Sequence, residues 1–191
     1  MIQNKTDLEK YLYEDAIVAR CGDINSLRGK LTYCIKLFCG SEDACALRYL
    51  RNLRRYEYWI NRRLTGTKWK YLYILVKCWY RYRWMRLGLR YGMHIEPNTV
   101  GYGLRIPHIA GGIIINCEVM GNYCGVNSGV IIGSFHDKKP IIGNNVQIAI
   151  GAKVYGDIII GNNVKIAPNS VVYKNIEENR VVGGNPASLL K

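Results

Sequence analysis

The sequence lacks any apolar run that approaches the length of a membrane span. Its longest uninterrupted apolar run covers residues 71–76, whereas a spanning helix needs about 20 apolar residues. No stretch reads as a signal peptide. The seven cysteines are odd in number and contain no C-x-x-C pair, so they indicate neither a disulfide framework nor a metal site. These absences predict a reduced, cytoplasmic protein with structural thiols and no metal.

Acidic residues are scarce, and the resulting positive charge is unevenly spread. The chain has a formal net charge of +13. Residues 1–92 contain 19 Lys or Arg and 8 Asp or Glu, whereas residues 93–191 contain 8 and 6. This contrast predicts two kinds of structure: a helical, basic, aromatic-rich domain over residues 1–92 and a different domain over residues 93–191.

Three helices are predicted in the first half. Thr6 with Glu9 three residues later resembles a capping box, which predicts a helix start. Residues 44–64 carry Leu at helical spacing and are followed by Gly66. A third helix is predicted over residues 69–89.

The third predicted helix interleaves Lys and Arg with Tyr and Trp, a pattern that has three interpretations. It could pack at the interface of a helical trimerisation domain, with Arg stems over aromatic faces. It could instead lie on a membrane surface as a peripheral contact. Nucleic-acid binding has no recognised motif to support it, and no nucleic-acid partner is predicted.

The second half has a period of six residues, which indicates a repeat architecture. Large apolar residues recur at every sixth position after a loop near Ser134, and the same count can be run backward from that loop. Four extra residues between Ile132 and Ile142 predict an inserted loop. A second column of small or β-branched residues follows four positions after each repeat start, with Glu118 as an exception. The first column reads His108, Ile114, Met120, Val126, Ile132, Ile142, Ile148, Val154, Ile160, Ile166 and Val172, and the second reads Cys124, Val130, Val146, Ala152, Ile158, Val164 and Ser170.

A six-residue period suits a chain that turns a corner after each short strand. Three such sides make a triangular parallel β-helix, and eleven repeat starts predict about four coils. Gly and Asn, as in the pairs at 144–145 and 162–163, provide the positive φ angles that corners require. A β-sandwich of short strands is the alternative, but sandwich strands do not keep one register for so long.

Several of these repeats resemble the hexapeptide-repeat acyltransferases, most closely the serine O-acetyltransferases and related acetyltransferases of surface-polysaccharide clusters. The resemblance covers roughly residues 92–188. It implies a left-handed parallel β-helix, a homotrimer, acetyl-CoA bound between neighbouring coils, and a helical domain before the β-helix. The motifs that carry it are Ile142-Gly-Asn-Asn-Val146, Gly151-Ala-Lys-Val-Tyr-Gly156, Ile160-Gly-Asn-Asn-Val164, Asn169-Ser-Val-Val172 and Gly184-Asn-Pro-Ala187.

O-acetylation needs a base for the acceptor hydroxyl, and histidine suits that role. His108 falls in the apolar column and aligns with the catalytic base of the family, which predicts a catalytic role rather than a structural one. The family carries a second active-site histidine in the inserted loop, directly before the proline, where this chain has Lys139. His136, three residues earlier, is therefore a second catalytic candidate by resemblance, although a solvated loop histidine is equally compatible.

Two positions depart from the family. His94 stands where the family has an aspartate that orients the catalytic base, which leaves Glu96 and Glu118 as possible substitutes. Pro107 replaces an aspartate that contacts the amino acid substrate, which tilts the predicted acceptor from L-serine toward a hydroxyl of a surface-polysaccharide sugar.

The resemblance also implies how acetyl-CoA would bind. Backbone amides of the later coils would contact the cofactor, small residues would leave room for the pantetheine arm, and basic side chains near the C-terminus would hold the phosphates. The matching positions are Gly151, Ala152, Lys153, Ser170, Lys174, Gly184 and Lys191.

The sequence therefore predicts an acetyl-CoA-dependent O-acetyltransferase. The alternative is a non-catalytic β-helix that serves as a scaffold or binding subunit. Because serine acetyltransferases usually continue into a tail that docks on the cysteine-producing enzyme, and this chain stops at Lys191, no complex with cysteine synthase is expected.

Overall fold

The computed structural model describes residues 1–23, 26–62 and 70–190. Within these ranges, four helices precede a β-helix of short strands. The helices are α1 (Lys5–Val18), α2 (Leu27–Phe38), α3 (Glu42–Asn61) and α4 (Lys70–Tyr91). The strands are β1 (Met93–Ile95), β2 (Ile113–Ile115), β3 (Val119–Met120), β4 (Gly125–Val126), β5 (Ile131–Gly133), β6 (Ile141–Ile142), β7 (Gln147–Ile148), β8 (Lys153–Tyr155), β9 (Ile159–Ile160), β10 (Lys165–Ile166), β11 (Val171–Val172), β12 (Val181–Gly183) and β13 (Ser188–Leu189).

The strands form the three sides of a triangular coil. One sheet has the order β1-β2-β5-β8-β11, a second β4-β7-β10-β12-β13, and a third β3-β6-β9. All pairings are parallel except that of β13 with β12. Bridges from Val100 to Met120 and from Ile160 to Ile176 extend the third sheet at both ends. The β-helix therefore has about five turns, and the prediction of about four was low by one.

The predicted six-residue spacing of inward-facing residues agrees with the structure after the inserted loop and disagrees with it before β3. From Ile142 to Val172 every predicted first-column residue is buried, as are the second-column residues from Cys124 to Ser170, so both columns are confirmed there. The backward count is wrong at Ile114, which is 43% exposed, and at His108, which is also exposed.

The physical reason is that the number of residues between successive inward-facing side chains changes in the first coil. Ile106 and Ile115 face the interior, nine residues apart, and Ile115 is only five residues before Met120. A loop at residues 107–112 takes up the extra length. His108 lies in this loop and not in the apolar column, because the loop shifts the register that the six-residue count assumes.

The predicted corner asparagines are confirmed. Asn145 and Asn163 have φ angles of 54° and 59°. Their side chains stack from coil to coil, since Asn145 donates to Asn163 (Nδ2 to Oδ1, 3.0 Å) and Asn163 donates to Asn179 (2.9 Å). The ladder satisfies side-chain donors at a corner where the backbone bends.

The helical half differs from its prediction in two details. Helix α2 was missed, although Ser26 caps it through the Gly29 amide (3.0 Å). Helix α1 begins with a capping box of Asn4 and Asp7 rather than Thr6 and Glu9. Helices α3 and α4 match the other two predicted segments, although residues 63–69 lie outside the described ranges.

Helix α3 is the element that joins the helices to the β-helix. The Tyr49 hydroxyl accepts hydrogen bonds from Trp84 Nε1 of α4 (2.7 Å) and from the Ile95 amide of β1 (2.9 Å). One hydrophobic cluster runs from α3 and α4 into the interior of the β-helix. A domain division at residue 92 stays a prediction.

A buried ion network holds α1, α3 and the first coil together. Arg54 Nε pairs with Asp15 Oδ2 (3.0 Å), and Nη1 pairs with Glu57 Oε2 (3.1 Å). The guanidinium also donates to the carbonyls of Val100 (2.8 Å) and Gly101 (2.6 Å). Burial works to lower the pKa of Arg54, but the two carboxylates outweigh it and raise that pKa above its ordinary value. The arginine therefore stays charged.

The carboxylates in this network extend it further into the first coil. Asp15 Oδ1 accepts from the amides of Gly103 (2.8 Å) and Leu104 (3.1 Å). Glu57 Oε1 accepts from the amide of Asn98 (2.8 Å). The loops of the first coil are thus bonded directly to side chains of α1 and α3.

Arg54→Met should lower the free energy of unfolding by about 3–5 kcal/mol, because it leaves two buried carboxylates without their counter-ion. Chemical denaturation followed by circular dichroism measures this. Arg62→Met, at the exposed end of α3, is the control and should change stability by less than about 1 kcal/mol. Equal effects of the two variants would contradict the role given to the network.

Gly151→Ala should destabilise the β-helix by about 1–2 kcal/mol or more. Gly151 has a φ of +74°, and a Cβ there would lie 2.1 Å from Asn169 Oδ1 in the next coil. Gly133→Ala is the matched control, since a Cβ at Gly133 meets nothing within 4 Å. Thermal melts of the two variants should differ clearly, and similar melting temperatures would count against a steric requirement at this corner.

Candidate functional site

His108 lies at the corner between the second and first sheets of the β-helix. Its side chain is 65% exposed, and its Nδ1 lies 3.2 Å from Glu42 Oε2. The same Glu42 oxygen accepts a hydrogen bond from the Ile109 amide (2.9 Å). A residue from the start of α3 thus fixes both the ring and the backbone of the loop that carries it.

The contact with Glu42 selects one tautomer of the histidine. An ionised carboxylate is only an acceptor, so the proton in this contact belongs to His108 Nδ1. The other ring nitrogen, Nε2, is then left with its lone pair. A neutral histidine held in this tautomer is equipped to take a proton from a hydroxyl group.

An open groove of about 330 Å³ runs beside His108 along the second sheet. Besides His108, three residues with polar side chains line it, Arg105, Asn127 and Gln147, and the rest of the lining is Pro107, Gly125, Val126 and Ile148. Among the described residues, Arg105 makes no ion pair, and its buried Nε has no hydrogen-bond partner. The groove therefore places a free cationic group beside a histidine.

The other candidates for orienting His108 do not contact it in the described chain. His94 Nε2 lies 3.5 Å from Glu96 Oε2, and the His94 ring packs near Trp84. His94 and Trp84 line a different cavity, which lies between α4 and β1. Glu118 is exposed, and among the described residues it makes no hydrogen bond to His108, whose carboxylate partner is Glu42.

Sequence reasoning missed Glu42, which is 66 residues before His108. The available signal was weak: Glu42 and Asp43 form an acidic first turn on α3, and acidic residues are common at any helix start because of the helix dipole.

His136 lies at another corner of the coil, between the first and third sheets. It sits in a tight turn closed by Phe135 and Lys138, has a φ of 49°, and packs on Phe135 with ring centroids 4.2 Å apart. Lys138 pairs with Asp157 of the next coil. Within one chain the structure does not bring His136 and His108 into one groove.

Two of the residues that were expected to line a cofactor groove face inward. The Ala152 methyl group is fully buried in the second column. Ser170 is also fully buried, and its hydroxyl donates to the Ala167 carbonyl (2.7 Å) and accepts from the Gly184 amide (3.3 Å). Because the second column points into the coil, these two positions offer a cofactor their backbone and not their side chains, and their role in acetyl-CoA binding stays a prediction.

The remaining cofactor candidates are on the outside or at corners. Lys153 Nζ donates to the Gly129 carbonyl (2.6 Å). Gly151 and Gly184 sit at bends with positive φ angles. Lys174 is exposed and lines a cavity of about 260 Å³ at the last coil, together with Arg180. Lys191 lies outside the described residues.

Cysteine chemistry is not indicated at the core of the β-helix. Burial raises the pKa of Cys117 to about 12 and that of Cys124 to about 11, so both thiols are protonated and poor nucleophiles near neutral pH. Among the described residues no group of His, Cys, Asp and Glu could hold a metal ion. In the same part of the chain no helix is long and apolar enough to cross a membrane.

Comparison with known proteins agrees with this architecture. Residues 139–174 match the family model described as bacterial transferase hexapeptide (six repeats). In sequence, the chain is 35% identical over 104 residues to a serine acetyltransferase of Synechococcus elongatus. That match covers 52% of this chain and only 43% of the relative, so the chain spans less than half of the length of that protein.

Solved structures match over nearly the whole chain. A Neisseria gonorrhoeae serine acetyltransferase in complex with serine is 25% identical, has a TM-score of 0.65, and matches over 98% of this chain and 70% of that one. A serine acetyltransferase in complex with CoA is 23% identical, has a TM-score of 0.67, and matches over 98% and 72%. In its repeats, its coiled sheets and the helices that precede them, the chain is therefore similar to the hexapeptide-repeat serine acetyltransferases.

Proposed function

We propose that this protein is an acetyl-CoA-dependent O-acetyltransferase whose catalytic base is His108. The observation that carries the proposal is the contact of Glu42 with His108 Nδ1, which leaves Nε2 as the proton acceptor of a side chain that lines an open groove. A β-helix retained only as a scaffold or binding subunit would have no need for this arrangement.

The reaction follows from these positions. Nε2 of His108 takes the proton of the acceptor hydroxyl as its oxygen attacks the carbonyl carbon of the acetyl thioester. The tetrahedral oxyanion collapses, the carbon–sulfur bond breaks, and the thiolate of CoA receives the proton from the imidazolium. The products are the O-acetyl ester and CoA thiol. Glu42 holds the ring and stabilises the imidazolium that forms between these two transfers.

A homotrimer would bring both candidate histidines to one site. His108 and His136 lie at different corners of the coil, and a side of about five residues separates corners by roughly 17 Å at about 3.3 Å per residue. Side chains at two corners of one chain are too far apart to act on one thioester. Corners of adjacent subunits can meet, and the proposed site therefore lies between subunits.

Acetyl-CoA is the proposed acetyl donor. Its support is the described likeness to serine acetyltransferases, one of them solved in complex with CoA, and the basic groups at the last coil. Lys174 and Arg180 are exposed there and could pair with phosphates. Lys153, Gly151, Gly184 and the backbone of Ala152 and Ser170 remain candidates for the pantetheine path, and Lys191 for a phosphate contact.

The proposed acceptor is a hydroxyl of L-serine or, slightly favoured, of a sugar in a surface polysaccharide or its precursor. The likeness to serine acetyltransferases, one of them solved in complex with serine, favours serine. The groove favours a sugar because Pro107 provides no carboxylate for an amino group, whereas Arg105 would pair with a carboxylate of L-serine or of an acidic sugar alike. A lipid-linked sugar is one such acceptor, and it would bring the enzyme to the cytoplasmic face of a membrane.

His108→Ala should reduce acetyl transfer by about 10²- to 10⁴-fold, since it removes the general base. Glu42→Ala should reduce it by about 10- to 100-fold, because a misplaced ring costs rate without removing the base, and Glu42→Gln should fall between Glu42→Ala and wild type. The measurement is thiol release from acetyl-CoA in the presence of acceptor.

Asp43→Ala is the matched control, since Asp43 is the other acidic residue in the first turn of α3, and it should leave the rate unchanged. Nitrogen NMR of His108 separates positioning from folding: the Nδ1–H tautomer should dominate in wild type and lose its dominance in Glu42→Ala. Full activity of His108→Ala in a folded protein would refute the assigned base, and absence of both transfer and CoA binding in wild type would leave the scaffold as the better account.

The acceptor preference of the enzyme can be measured by direct competition between L-serine and the sugars of the host's surface polysaccharide. Wild type is expected to acetylate a sugar hydroxyl with a higher kcat/KM than L-serine, and Pro107→Asp should shift the ratio toward serine by restoring a carboxylate beside His108. Mass spectrometry of the products measures both. A wild-type preference for serine would contradict the proposed acceptor while leaving His108 and acetyl-CoA in place.

A further inference from the structure

Helix α4 carries apolar side chains on two opposite faces. Its inner face packs into the main hydrophobic cluster through Trp84 and Leu87, which are buried. Trp84 also donates a hydrogen bond to Tyr49 of α3. These contacts fix α4 on α3 and β1, so its opposite side is held outward by the fold.

The outer face is a continuous apolar stripe along the helix. Its members are spaced alternately four and three residues apart, which keeps them on one side of a helix. Tyr71 and Leu89, at the two ends, are each 79% exposed, and Leu75 is 67% exposed. At 1.5 Å per residue, the stripe is about 27 Å long. We use "outer face" for Tyr71, Leu75, Cys78, Tyr82, Met85 and Leu89.

Basic residues border the outer face on both sides. With 3.6 residues per turn, Arg83, Arg86 and Arg90 lie on one flank and Arg81 on the other, and all four are exposed. The guanidinium of Arg86 lies 5.8 Å from the Tyr82 ring centroid, so its stem runs along the stripe. No Asp or Glu occurs between Tyr58 and Ile95.

The charge pattern decides what this face can bind. If α4 paired with the same helix of a second copy, arginines would meet arginines at the flanking positions, where stable helix pairs place opposite charges. An anionic lipid surface has the complementary charge and attracts each nearby Lys or Arg. An apolar stripe that contains Tyr and has basic borders is typical of a helix that lies in the membrane interface.

We propose that the outer face of α4 docks on an anionic membrane surface, with the helix axis parallel to the bilayer. The apolar stripe enters the boundary between headgroups and acyl chains, and the arginines reach outward to the phosphates. The tethered β-helix then faces the interface. This inference does not depend on the chemistry at His108 and would hold for a protein without acetyltransferase activity.

Sedimentation of the full-length protein with vesicles tests the proposal. Binding to phosphatidylcholine vesicles that contain about 30% phosphatidylglycerol should be at least tenfold stronger than binding to phosphatidylcholine alone, and it should weaken as salt rises. Leu75→Glu with Tyr82→Glu should reduce binding at least tenfold, because it places charge in the stripe. Arg83→Gln with Arg86→Gln should reduce it by roughly 25-fold, about fivefold for each charge.

Matched controls lie on the outside of other elements. Ile159→Glu changes an exposed apolar residue of the β-helix, and Lys5→Gln with Lys165→Gln removes two exposed charges elsewhere. Both should bind vesicles like wild type. If the Glu variants lose helical circular dichroism, the milder pair Leu75→Ala with Tyr82→Ala replaces them and should still weaken binding severalfold.

Three results would overturn the proposal. One is equal binding of wild type to neutral and anionic vesicles, and another is unchanged binding by the folded outer-face variants. The third is that wild type does not bind vesicles and that the outer-face variants have a lower oligomer mass than wild type by light scattering. That result would assign the outer face to contacts between copies of this chain.

Discussion

The buried charge of Arg54 is the constraint on which the arrangement of the molecule depends. Taking a guanidinium and two carboxylates out of water is costly, and the cost is offset only when every group finds partners. Asp15, Glu57 and the carbonyls of the first coil supply those partners. All polar groups of this network therefore find their partners in one arrangement of α1, α3 and the first coil. That arrangement sets how α3 lies against the first coil.

The position of α3 in turn builds the candidate site. Glu42 is the first residue of this helix and Arg54 lies twelve residues later, about 18 Å along the axis. A rigid helix carries the constraint over that distance, so the anchoring at Arg54 places the Glu42 carboxylate against His108. Helix α3 therefore contributes both to the proposed catalytic site, through Glu42, and to the stability of the helical half, through Arg54. It also holds α4 through Tyr49, so its position determines which face of α4 is the outer face.

The sides of the β-helix are regular and form its core, whereas its corners are irregular and carry the insertions. Stacked columns such as Ile142 and Ile148 fill the interior and tolerate little change of register, because every coil supports the next. Insertions are accommodated at corners, where the chain leaves the stack. Both candidate histidines lie in such insertions, at residues 107–112 and 134–140, which agrees with the general placement of function on loops held by a rigid scaffold.

The sequence by itself determined the repeat architecture, the corner asparagines and the inward columns after Ile142, because a six-residue period is a local property that each coil repeats. It could not determine the first coil, where steps of nine and five residues break that period and place His108 in a loop. It also could not reveal Glu42, since no local pattern links it to a histidine 66 residues away. Only the tertiary structure, through the packing of α3 on the first coil, decided which carboxylate meets the histidine and which face of α4 stays outside.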